Sequence, residues 1–123
     1  MSSLDDVFVE DDPDEEILGE ILSGRVKIPE PTGEIRPRKK FEKLKADDKI
    51  LCSLAAVRAM EMKDHRESKE IGPTELGRIS PVPEGTIKTK ISDISIVEKN
   101  DEGKYYLPGY ELRKAKKMIE GDE

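Results

Sequence analysis

The residues best equipped for chemistry in this chain lie on one side of a short stretch. In Pro83-Glu-Gly-Thr-Ile-Lys-Thr-Lys-Ile-Ser-Asp93, followed by Ile94, the apolar positions Ile87, Ile91 and Ile94 recur at i, i+4 and i+7, the spacing of one helical face. At about 100° per residue the opposite face carries Gly85, Thr89 and Ser92, flanked by Thr86 and Lys88. Small hydroxyls and an ammonium, with no large apolar group among them, suit a helix that enters the major groove of duplex DNA. There Lys88 would donate to guanine O6 and N7, and the methyl of Thr86 or Thr89 would pack on thymine. Thr86, Lys88, Thr89 and Ser92 are therefore expected at base edges, with Arg78, Lys90, Lys99 and Lys104 at phosphates.

Other chemistries are poorly served. Cys52 is the single cysteine and His65 the single histidine, which excludes an internal disulfide and leaves no His/Cys zinc site. There is no glycine-rich phosphate loop, and the carboxylates are scattered over polar stretches. An enzyme is therefore not expected, nor a metal or cofactor. Cys52 reads as a small core residue and His65 as a solvated side chain. No apolar run approaches the roughly 20 residues of a membrane span, because Arg58 interrupts the best one. Met1-Ser-Ser-Leu-Asp-Asp has neither the basic nor the apolar region of a secretory signal. These features suggest a soluble, cytoplasmic protein, nucleoid-associated if it binds DNA. Gln is absent, Asn100 is the lone Asn, and 41% of residues are charged; this composition suggests a thermophile.

A formal net charge of −6 conceals a strong partition. Residues 1–20 hold nine acids and no base, residues 25–45 hold eight bases against three acids, and residues 46–123 are nearly balanced. An acidic overall balance therefore does not exclude a nucleic-acid partner. Residues 1–24 read as a flexible acidic tail, disordered except for the short amphipathic segment Glu15–Leu22. Within it, Ile17, Leu18, Ile21 and Leu22 form one helical stripe that would dock on a protein partner or on this protein's own domain. Residues 25–45 read as a Pro-rich linker ending in a basic arm, Arg36, Arg38, Lys39 and Lys40, that would touch phosphates or the minor groove. The acidic segment Asp5–Glu20 is expected to compete with DNA for this basic surface.

The elements that must hold the Thr/Lys face in place occupy residues 46–120, read as mostly α (α+β). A first helix runs from Ala46 to about Lys63, capped by Asp47 and apolar at Ile50, Leu51, Leu54, Ala55, Val57 and Met62. Gly72-Pro73 opens a short second helix with Thr74 able to cap it, and Pro81-Val82-Pro83 turns into the third. Ile94-Ser-Ile-Val-Glu-Lys99 and Lys104-Tyr-Tyr-Leu107 read as a hairpin about Gly103. Tyr110 to Glu120 closes the chain as a helix, its Leu112, Ala115, Met118 and Ile119 covering the core or a homodimer axis.

Helix, short helix, turn, helix, hairpin and final helix resemble the winged helix-turn-helix superfamily of archaeal and bacterial transcriptional regulators. Thr74-Glu-Leu-Gly77 is similar to the opening of its positioning helix, where a small residue lets the next helix approach. Pro83-Glu-Gly-Thr-Ile-Lys-Thr-Lys-Ile91 resembles its recognition helix and that of sigma-factor region 4. Gly103-Lys-Tyr-Tyr-Leu107 resembles a returning wing strand. The resemblance implies a sequence-specific, double-stranded-DNA-binding regulator. A winged-helix protein-interaction subunit of a transcription or replication assembly is the alternative, favoured by the balanced charge of residues 46–123. One departure stands out: Ile94 runs almost directly into Ile96-Val97. Either the third helix ends early, near Ser92, or the hairpin leaves it at an unusual angle.

Overall fold

The computed structural model describes residues 13–29 and 35–121 of the chain. Its centre is α3 (Ala46–Met62), in which Ile50, Leu51, Cys52, Leu54, Ala55, Ala56 and Val57 are all buried. A helix enclosed on every side carries apolar residues all round, which is why a single stripe underestimates it. The helix starts earlier than capping by Asp47 would require. Lys45 takes the N-cap place, and Asp47 and Asp48 fall in the first turn, where carboxylates favour the helix dipole. At the other end Asp64 adopts φ 60°. Its N–H donates to the Glu61 carbonyl (3.1 Å) and that of His65 to Met60 (2.8 Å), the paired bonds of a Schellman stop.

Around α3 pack α1 (Glu15–Leu22), α4 (Pro73–Ile79), α5 (Glu84–Ile91) and α6 (Leu112–Gly121). The α1 helix decides between the two docking places expected for its apolar stripe. Asp14 caps it, accepting from the Ile17 N–H at 3.2 Å. Ile17, Leu18 and Ile21 are buried against α3 and α6, and Leu22 packs beside them. This stripe is therefore spent on the protein's own core, as one of the two alternatives had it, and does not form the partner surface that was the other. Two of its acids are engaged as well: Glu15 with Lys63 at 2.9 Å and Glu20 with Lys116 at 3.5 Å. Asp5–Asp12 of the expected competing segment lie outside the described residues.

Residues 25–29 and 35–45 are likewise built into the body. Strand β1 (Val26–Lys27) pairs antiparallel with β2 (Arg36–Pro37), and α2 (Lys39–Glu42) follows. Buried Arg25 donates to the carbonyls of Ile21 (2.8 Å) and Glu20 (3.3 Å), closing the end of α1. Its own carbonyl accepts the Arg38 N–H at 2.8 Å. Phe41 and Leu44 then anchor α2 in the core. Prolines hide such short strands, which is why the sequence reads here as an extended linker.

The α4 helix begins with Pro73 at its first position and Gly72 as N-cap, so Thr74 lies inside the helix. The buried Ser80 hydroxyl donates to the Leu76 carbonyl (2.7 Å) and accepts the Val82 N–H (3.3 Å), fixing the turn into α5. Gly77 faces that turn: a Cβ there would lie 3.0 Å from the Val82 carbonyl oxygen and 3.4 Å from Ile87. Strands β3 (Glu98–Lys99) and β4 (Tyr105–Tyr106) form the second hairpin, and an isolated bridge joins Ile71 to Tyr105. The hairpin is shorter than the alternation at Ile94–Val97 suggests. Ile94 and Ile96 are buried in successive turns, with Ile94 N–H to Ile91 O at 3.1 Å and Val97 N–H to Ile94 O at 3.2 Å. After a 3-10 turn (Gly109–Glu111), α6 buries Leu112, Ala115 and Ile119 in this same core, leaving Met118 exposed. Among the described residues no helix is long and apolar enough to cross a membrane, and no His, Cys, Asp and Glu cluster could hold a metal.

Candidate nucleic-acid interface

The site is built on α5, whose Ile87 and Ile91 are buried together with Ile94 beyond its end. Each contributes about 1.5–3 kcal/mol if fully buried. The helix stops at Ile91 with Ser92 as its C-cap, which resolves the crowded junction with the hairpin: the helix ends early. Gly85, Lys88, Thr89, Lys90 and Ser92 are exposed, and Thr86 is half-buried. Thr89 Oγ1 donates back to the Gly85 carbonyl (3.1 Å) and Ser92 Oγ to the Thr89 carbonyl (2.7 Å). Both hydroxyl protons are thereby committed to the helix, and each oxygen is left as an acceptor.

Between the end of α5 and the hairpin lies a groove of about 340 Å³ lined by Lys88, Ser92, Ser95, Lys99 and Tyr105 over an apolar floor of Ile91, Ile94 and Val97. Of the residues expected at the site, Lys88, Ser92 and Lys99 meet here. Ser95 and Tyr105 join them, which only the turn through Ser95 and the packing of β4 make evident. Lys90 is drawn aside to Asp47 on α3 (3.8 Å), and Lys88 has Glu84 one turn back (3.4 Å).

Arg78 and Lys104 gather instead around Glu75 on α4. Arg66 binds Glu75 through two bonds (3.1 and 3.0 Å), Arg78 approaches it at 3.9 Å, and Lys104 adds to the local positive field. The Arg66 hydrogen bonds hold the Glu75 carboxyl below its usual range against partial burial, and the charges of Arg66, Arg78 and Lys104 assist. Arg66 also donates to the Ser68 and Glu70 carbonyls (2.9 and 3.0 Å). The Glu70 carboxylate accepts from Asn100 Nδ2. Asn100 Oδ1 in turn accepts the N–H groups of Glu102 and Lys104 (both 2.9 Å), while Gly103 supplies φ 79°. This relay ties the hairpin turn to α4. Its partners lie up to 30 residues apart, so no local spacing announces it. Lys69 sits 4.6 Å over the Tyr106 ring and braces the same hairpin.

Arg36, Arg38, Lys39 and Lys40 stand apart from α5, exposed on β2 and α2. They are fixed to the body and are not a free arm. Comparison with protein-family models, with curated proteins and with solved structures finds no match to this chain.

Proposed function

We propose that the protein binds double-stranded DNA through α5 as a winged helix-turn-helix regulator, with β3–β4 as its wing. The observation that carries this reading is the uncovered face of α5. Thr89 and Ser92 are exposed, and Lys88 and Ser92 border a groove shared with the hairpin. The order of elements around α3 and the Ile71–Tyr105 bridge beside the hairpin support it. With their protons held by the helix, Thr89 and Ser92 favour base-edge donors, cytosine N4 or adenine N6, while Lys88 favours guanine. Lys99 serves a phosphate beside the groove, and Arg78 and Lys104 serve phosphates nearer α4.

A second reading, a protein-binding module within a transcription or replication assembly, draws on a different observation. Glu84, Asp47, Glu102 and Glu75 lie within 4 Å of Lys88, Lys90, Lys104 and Arg78 respectively. Selection from random duplexes decides between them. Enrichment of a motif, with affinity falling steeply as salt rises, supports DNA binding. Retention no greater than that of an inert acidic protein overturns it. In an enriched motif, Lys88→Ala is expected to cost about 1–3 kcal/mol of discrimination at one base pair, read by competition binding.

A further inference from the structure

We propose that Arg38, Lys39 and Lys40 form a rigid second contact for the DNA backbone, flanking the duplex segment engaged by α5. The proposal rests on the DNA-binding reading above and extends its footprint. Their side chains are exposed, yet the backbone beneath them is held at three places. The Arg38 N–H is bonded to the Arg25 carbonyl (2.8 Å), Phe41 is fully buried, and Leu44 is buried one turn on. Cations on such a support lose less freedom on binding than cations on a flexible arm.

The local charge is one-sided: between Ile35 and Lys45 the single acid is Glu42. Gly24, Pro37, Arg38, Lys39, Lys40 and Glu42 line a shallow depression of about 860 Å³. Pro37 also lines a neighbouring groove with Arg78, Ile79 and Pro81 at the end of α4. Through Pro37 the basic face of α2 therefore adjoins a groove that also holds Glu75 and whose far wall carries Arg78, next to the turn that leads into α5. A polyanion that extends from α5 past Arg78 would reach Arg38, Lys39 and Lys40 across Pro37. A fixed platform of this kind, with the Arg38 N–H bonded to Arg25 and Lys39 and Lys40 on a helix, tracks phosphates.

The test uses the full chain and a random-sequence duplex, with affinity measured over a series of salt concentrations. The R38Q/K39Q/K40Q variant should keep the wild-type melting temperature, since all three side chains are exposed. Its log–log salt slope should be shallower by about 2–3, at about 0.9 for each phosphate no longer neutralised, with any selected base preference retained. A variant of two exposed lysines on α6, K114Q/K117Q, should leave the slope unchanged. An unchanged slope in the platform variant, or an equal loss in the α6 variant, overturns the platform while leaving α5 binding intact. Failure of the wild-type chain to bind duplex at low salt overturns the DNA-binding reading itself.

Discussion

Two cation-bearing surfaces adjoin α4, and they are built differently. On α5 and around the hairpin, carboxylates accompany the bases: Glu84 with Lys88, Asp47 with Lys90, Glu102 with Lys104. On and beside α2, Glu42 is the single acid in the run from Arg38 through Lys39 and Lys40 to Lys43. A surface of mixed charge gains little from counterion release and is suited to discriminating among partners. A one-sided surface attracts any polyanion. The formal charge of the whole chain, or even of residues 46–123, therefore says little about where a polyanion would settle.

The contrast is tested most severely by removing the support of one side. Phe41→Ala empties a fully buried site beneath α2, and truncating a core aromatic costs about 3–5 kcal/mol. Urea unfolding should show that loss, and the salt slope of any DNA binding should fall with it. Gly77→Ala strikes the other side. The new methyl would lie 3.0 Å from the Val82 carbonyl oxygen, and such overpacking costs about 1–3 kcal/mol. Its signature is a displaced α5, seen as amide shifts along Glu84–Ile91 with those of Lys39–Glu42 unmoved. Coincident shifts in both segments would mean that the two surfaces are not separate.

Smaller effects refine the picture. Asp64 holds a left-handed conformation at the end of α3, so Asp64→Gly should raise stability by about 1 kcal/mol, measured by thermal unfolding. Glu75 reports on the hairpin side through pH. Its folded pKa is lowered, so its contribution is present above the unfolded value near 4.5 and disappears as pH falls through the folded one. The stability gap between wild type and Glu75→Gln should therefore close on acidification below pH 4.5. A gap that persists in acid contradicts the Arg66 pairing.

What can be read from the chain follows from the reach of each signal. Ile87, Ile91 and Ile94 announce a buried face because their period is local and uninterrupted. Gly77 announces a close approach because the two prolines after it force the chain back. Ile17, Leu18 and Ile21 announce that they need covering, but nothing in their spacing says by what; α3 and α6 answer. The β1–β2 pairing is silent in the sequence because two-residue strands beside prolines carry no alternation. The relay from Arg66 through Glu70 to Asn100 has no sequence signal either, since a hydrogen bond depends on where distant loops meet.

Arg25 has a practical consequence for anyone shortening the protein. Its guanidinium is held by carbonyls of Glu20 and Ile21, and its own carbonyl holds Arg38. Deleting everything before it strips the guanidinium of those acceptors and opens the interior where Ile17, Leu18 and Ile21 sat. A cut intended only to discard the acidic leader has to fall ahead of Asp14, or the shortened protein will report damage to its own interior in place of the leader's role.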